Sequence, residues 1–205
     1  MKFFCVYEGI EAKRKLNSLR KEFFRKTLHI CTAFVPLLLN VSRLYSVIFI
    51  ALLGVLYSIS EFFRIRGKEI PLISDITIAA ARKRDENRFV LGPVTLVLGI
   101  CMCALLWDFK AATIGILALA FGDGLASLAG KTFGLVKIPL TQGKTAAGSI
   151  TCFAAIFCSS FAISKNSFVS LTVAIIGALV EVLPLKDFDN LLIPILLGGV
   201  AHYLL

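Results

Sequence analysis

Apolar residues run through this chain in long blocks, interrupted by short polar stretches. The blocks fall at 23–41, 44–62, 89–107, 111–130, 146–164, 167–184 and 189–205. Each is close to the roughly 20 residues that a helix needs to cross a hydrocarbon core. The connections at 42–43, 108–110 and 165–166 are tight, whereas 63–88, 131–145 and 185–188 are longer or more polar. This pattern predicts an all-α polytopic membrane protein of about seven transmembrane helices. Ahead of the first block, Phe3, Phe4, Val6, Tyr7 and Ile10 give way to Lys13, Arg14, Lys15, Arg20 and Lys21. Leu16, Leu19 and Phe23 recur among those cations at helical spacing, the pattern of an amphipathic helix on an anionic membrane surface. The expected organisation is therefore a basic segment over 1–22 and one transmembrane domain over 23–205. Within 63–88, Ile70, Ile73, Ile76 and Ile78 suggest a short interfacial helix before the basic run Arg82 to Arg88.

Composition supports this class. Of the 205 residues, 58% are hydrophobic and 17% charged, against about 25% charged in soluble domains. The mean hydropathy is +0.86. One small core cannot hide that much apolar surface, which excludes a soluble enzyme, a disulfide-built secreted domain and a disordered tail. The net charge of +9 has a topological meaning. With the N-terminus in the cytoplasm, 19 of the 22 Lys and Arg fall inside, and only Arg43, Lys110 and Lys165 fall outside. Positive residues accumulate on the cytoplasmic side and meet anionic headgroups there. The expected location is a bacterial-type inner membrane with the polar face toward the cytoplasm. No basic stripe with interleaved aromatics on a soluble domain is present, so nucleic acid is not an expected partner. The six cysteines form no CxxC and read as small apolar packing residues.

Charged groups at membrane depth need a reason, because insertion at the bilayer centre costs at least about 2.5–3.5 kcal/mol. Asp123 is the clearest case, standing between Gly122 and Gly124 inside the fourth block. The two glycines would let a ligand approach the backbone. Arg25 and His29 share a helix face at the inner end of the first block, with Lys26 beside them. Glu61 and Arg64 lie three apart at the inner end of the second block, Glu181 near the inner end of the sixth, and Asp189 and Asn190 open the seventh. Every intramembrane carboxylate thus falls toward the cytoplasm, which implies a polar cleft open to that side. Carboxylates of this kind suit Mg2+.

The stretch from Gly130-Lys131 to Gly143-Lys144-Thr145, followed by Gly148-Ser149, carries a phosphate signal. Glycines and small hydroxylated residues expose backbone N–H groups at the start of the fifth helix, with lysines alongside. Gly143-Lys144-Thr145 is not a P-loop: Ile138 stands where the first glycine belongs, and no strand precedes it. Carboxylates for a metal, cations for phosphate and a lipid environment together suit phosphoryl transfer between a nucleotide and a lipid.

Several ordered motifs carry a resemblance. They are Arg25-Lys26-Thr27-Leu28-His29; Glu61 with Arg64; Gly92-Pro93 with Gly99; Phe121 to Lys131; Gly143-Lys144-Thr145 with Gly148-Ser149; and Glu181 followed by Asp189-Asn190 and Pro194. In this order, from about Arg25 to Gly198, the chain resembles the CTP-dependent lipid kinases, namely dolichol kinase, phytol kinase and CTP-dependent diacylglycerol kinase. The resemblance implies transfer of the γ-phosphoryl of CTP to a lipid alcohol such as diacylglycerol, a polyprenol or a phytol-like alcohol. It maps Arg25, Lys26, Asp123, Gly130, Lys131 and Lys144 onto functional positions. The expected catalytic set is Asp123, Lys144, Arg25, Lys26 and His29. Nucleotide contacts are expected from Gly122, Gly124, Gly130, Lys131, Gly143, Thr145, Gly148, Ser149 and Asn190. Asp123, Glu181, Asp189 and Glu61 are the expected Mg2+ ligands. One departure is Ala147, where the family usually has Glu two residues after the Thr or Ser of its Lys-Thr/Ser pair.

Two rivals remain. A CDP-diacylglycerol synthase also uses CTP and Mg2+, and Lys186-Asp187-Phe188-Asp189 is similar to part of its signature. The Pro-Gly-His-Gly-Gly stretch leading to Asp-Arg is absent. A small transporter with Asp123 in its path would need half-to-half symmetry and an outer polar cluster, and the sequence offers neither.

Overall fold

The computed structural model describes residues 19–68, 76–77, 88–139, 141 and 143–205. The amphipathic pattern of residues 1–18, most of the 63–88 loop, and Gln142 lie outside the described residues. Within them the protein is helical and has no strands; a single isolated bridge joins Lys137 and Thr145.

Helix α1 covers 19–31 and passes through a 3-10 turn, Thr32–Phe34, into α2 (Val35–Val41). The break has a local cause. Pro36 has no N–H for the carbonyl of Thr32, which is taken instead by the N–H of Val35 one residue earlier. The chain continues through α3 (Arg43–Ile65), α4 (Gly92–Leu106) and α5 (Phe109–Leu117). A π-helical turn, Ala118–Asp123, then links α5 to α6 (Gly124–Phe133). After a loop come α7 (Ala146–Ser164), α8 (Ser167–Val182) and α9 (Asp189–Leu204). The starts of α5, α7 and α8 are built by side-chain caps: Asp108 accepts from the N–H of Lys110 and Ala111, Thr145 from Gly148, and Asn166 from Phe168 and Val169. Lys165, in the left-handed region with φ 56°, ends α7 and allows the tight turn into α8.

All seven apolar blocks appear as helix. Among the described residues, three helical runs are long and apolar enough to cross a membrane: Arg43–Ile65, Phe109–Phe133 and Ala146–Ser164. Gly92–Leu106, Ser167–Val182 and Asp189–Leu204 are apolar but shorter.

The α5–π–α6 run is the hub, with Ala111, Ile114, Ile116, Ala118 and Leu119 fully buried. It packs on α9 through Gly115, whose added Cβ would stand 2.3 Å from the carbonyl oxygen of Pro194. Pro194 has a second effect. It cannot donate to Asn190, and that carbonyl lies against Gly99 of α4, 2.3 Å from where a Cβ would be. Helix α3 covers one flank, its Leu44, Ile48, Leu52, Val55 and Ile59 exposed as a lipid-facing stripe. Cys101, Cys103 and Cys152 are buried, Cys31 and Cys158 are exposed, and all five are free thiols.

Candidate active site

The polar groups gather at one end of the bundle, where α1 runs past α6 and the start of α7 meets the end of α8. A cavity of about 360 Å³ opens there, walled by Glu22 and Lys26, by Asp123, Ser127, Gly130 and Lys131, by Thr141, Gly143, Lys144 and Thr145, and by Gly148, Glu181 and Lys186. Three of the cations that line it pair with carboxylates. Lys26, fully buried, pairs with Asp123. Lys131 Nζ is 2.7 Å from Glu22 Oε2, and Lys144 Nζ is 3.1 Å from Glu181 Oε1. Lys186 adds a fourth cation to the wall.

Glu22 was not legible as a site residue in the sequence. It is buried, accepts from Ser127 Oγ at 2.5 Å and pairs with Arg25 as well as Lys131. Burial alone would raise its pKa. The charge of Arg25, the hydrogen bonds from Lys131 and Ser127 and the charge of Lys26 outweigh it and hold the carboxyl well below the usual range. Glu22 thus ties α1 to α6.

Asp123 stands at the last position of the π turn, a departure from α geometry that recurs at functional sites. Beyond Lys26 it meets His29, whose Nε2 lies 3.6 Å from Oδ2. His29 Nε2 also lies 3.0 Å from Asn190 Oδ1, and Asn190 Nδ2 reaches Gly92 O at 3.1 Å and Thr95 Oγ1 at 3.4 Å. Asp189, half-buried, takes a hydrogen bond from the N–H of Asn190. Ser149 Oγ reaches Glu181 Oε2 at 3.5 Å.

Other expected members have structural surroundings. Glu61 is fully buried but does not line this cavity. Its oxygens take both Arg64 contacts at 2.7 Å, and Oε1 also takes the N–H of Val90 at 2.8 Å. Arg64 in turn donates to Arg88 O, so Glu61 fastens α3 to the entry of α4. Gly122 and Gly124 are packing positions, where an added Cβ would stand 2.7 Å from Ile156 and 2.9 Å from Ile30. Gly130 and Gly148 line the cavity and let α6 and α7 cross closely. Gly143, with φ +96°, needs glycine for its backbone alone.

The start of α7 is less open to an anion than its sequence suggests. The N–H of Ala146 bonds Val136 O, and that of Gly148 bonds Thr145 Oγ1. Phosphate oxygens would therefore meet lysine ammonium groups more than amides. Among the described residues no group of three or more His, Cys, Asp or Glu is arranged to hold a metal ion. Asp123 and Glu181 do line one cavity, a donor set that fits a metal completing its shell with phosphate oxygens and water.

The chain is similar to known proteins. The chain is 26% identical over 217 residues to phytol kinase 1, chloroplastic, of Arabidopsis thaliana, an alignment covering 94% of this chain and 69% of that one. It is 31% identical over 141 residues to Arabidopsis farnesol kinase, chloroplastic, covering 61% and 46%. A probable phytol kinase 1 of Glycine max is 25% identical over 225 residues, covering 98% and 72%. The chain is a homologue of phytol and farnesol kinases. This homology supports, at the level of the family, the resemblance to lipid kinases. No protein-family model matches the chain, and no solved structure matches it.

Proposed function

We propose that this homologue is a membrane-embedded kinase that transfers the γ-phosphoryl of CTP to the hydroxyl of a lipid alcohol, with prenyl alcohols of the phytol or farnesol type the leading acceptors. The observation that carries this is the cavity itself. Four lysines and three carboxylates face one space at the end of an apolar helical bundle, in a relative of lipid-alcohol kinases. Phosphoryl transfer asks mainly for positioning and charge neutralisation. Lys131 and Lys144 would hold the phosphates from the α6–α7 side, and Lys26 and Arg25 would counter charge from α1. Asp123 and Glu181 would hold the Mg2+ that arrives with the nucleotide; Mg2+ bound there supplies charge neutralisation at the phosphates. The lipid oxygen forms its bond to the γ-phosphorus, the bond to the β–γ bridging oxygen breaks, and CDP leaves. The hydroxyl proton passes to water.

The seven-span arrangement with the N-terminus inside belongs to the same proposal and puts this end of the bundle at the cytoplasm. Nothing in the relatives' names favours a CDP-diacylglycerol synthase. The choice of CTP over ATP rests on the family resemblance. Purified protein is to be given equal CTP and ATP, each labelled at the α or the γ position, with phytol, farnesol, undecaprenol and diacylglycerol. The proposal expects γ-label on the lipid and CTP as the better donor by kcat/KM. α-Label on the lipid with release of pyrophosphate would refute the kinase; preference for ATP would refute the donor alone.

A further inference from the structure

Near the cavity, Arg25 Nε and His29 Nδ1 are buried without a partner among the described residues. The second has a defined chemical state, because its neighbours fix it. Asn190 Nδ2 faces the carbonyl oxygen of Gly92 and the hydroxyl of Thr95, so the amide nitrogen points at α4. The amide oxygen then faces His29, and an oxygen there can only accept. His29 Nε2 therefore carries a proton and donates it to Asn190, with the Asp123 carboxylate 3.6 Å away as a second acceptor. In the neutral ring this leaves Nδ1 a bare lone pair. His29 is 4% exposed, and among the described residues no donor reaches that lone pair. Buried polar atoms are rarely left in this condition except where a ligand or water completes them.

The surroundings say which donor would fit. His29 lies one turn deeper along α1 than Lys26, which lines the cavity. The adjacent Leu28 and Phe24 are exposed on the apolar side of the same helix. An acceptor held between a phosphate-binding cavity and a lipid-facing helix suits a hydroxyl on an apolar body. A carboxylate or a fully ionised phosphate would bring no proton to donate.

We infer that His29 Nδ1 is the acceptor for the O–H of the lipid alcohol, with Asn190 as the positioning residue that fixes the ring's tautomer. This rests on the lipid-alcohol reading of the site. A hydroxyl held there would be fixed by one hydrogen bond, on a ring that touches the cavity-lining Asp123. In a loose transition state the nucleophile contributes little bonding, so alignment counts for more than removal of its proton.

Two measurements test this. The chain has two histidines, His29 and His202. Nitrogen NMR of the full chain in nanodiscs with 15N-labelled histidine, assigned with a His202→Gln variant, reads the tautomer directly and needs no activity. The expected form at neutral pH is Nε2–H with Nδ1 bare; a ring protonated on Nδ1 overturns the inference. The second measurement compares direct binding of farnesol and of farnesyl methyl ether, which keeps the chain and loses the donor. Wild type should prefer the alcohol by about tenfold, the worth of one hydrogen bond. His29→Leu should lose that preference while binding CTP as before. Equal binding of alcohol and ether to wild type overturns the inference. Discrimination without any phosphorylated product supports this acceptor and refutes the kinase reading instead.

Discussion

Asp123→Asn is the substitution that separates holding the fold from doing the chemistry. From sequence, Asp123 reads as a ligand-facing carboxylate whose charge can be removed with the fold intact. In the structure the lost charge is the partner of Lys26, whose side chain is 2% exposed against 10% for Asp123. Removing one member of such a pair leaves an uncompensated buried charge and costs about 3–5 kcal/mol. At about 1.4 kcal/mol per factor of ten, the folded-to-unfolded ratio falls by roughly 10² to 10⁴. Lys26→Met should cost a similar amount by stranding Asp123, which keeps His29 at 3.6 Å. The Lys26→Met/Asp123→Asn double variant leaves no stranded charge, and should recover most of the stability. Unfolding in mixed micelles, followed by helical circular dichroism, gives all four corners of the cycle. Turnover measured alongside should fall at least about 10²-fold in all three variants, since each loses a charge that positions substrate. An Asn variant within about 0.5 kcal/mol of wild type would refute the buried-pair reasoning. So would a double variant less stable than either single.

Glu22→Gln should destabilise the chain at neutral pH. A carboxyl held below its ordinary range contributes stability that is present above the unfolded value and lost as pH falls toward the folded one. The gap in unfolding midpoint between wild type and Glu22→Gln should therefore narrow below about pH 4–5, and a gap independent of pH contradicts this assignment. Gly99→Ala should destabilise by about 1–3 kcal/mol, because the new methyl meets the backbone of α9 at 2.3 Å. Gly92→Ala, with nothing within 4 Å, is its near-neutral control in the same unfolding assay. In a cysteine-free background, thiols at Lys137 and Lys110 should label from opposite faces of sealed vesicles; labelling from one face breaks the proposed alternation.

How much could be read from the chain alone follows from where each signal resides. The apolar blocks are local, and every one of them became helix. Asp123 was conspicuous because a carboxylate is expensive inside an apolar run, and Gly130, Lys131, Gly143, Lys144, Thr145 and Gly148 do meet at one cavity. Glu22 stayed hidden: one acidic residue in a basic amphipathic stretch has no pattern, and its partner Lys131 is 109 positions away. Glu61 and Arg64 were visible as a pair at helical spacing. Only the fold shows that the N–H of Val90 shares the same carboxylate and makes it a clamp between helices. Gly122 and Gly124 looked like room for a ligand, yet the space is filled by Ile156 and Ile30 from other helices. The π turn over Ala118–Asp123 left no trace in the hydrophobic period, because the helix leading into it, Ala111 to Leu119, is apolar on nearly every face.

The most direct test of the central claim is a transfer assay in lipid nanodiscs with γ-labelled CTP, Mg2+ and farnesol or phytol. Wild type is run beside the Lys26→Met/Asp123→Asn double variant, chosen because it should remain folded. Label on a lipid monophosphate with wild type, matched by CDP and absent with the double variant, is the predicted result. Label that never reaches the lipid, or that reaches it equally well with the double variant, would contradict a lipid-alcohol kinase working from this cavity.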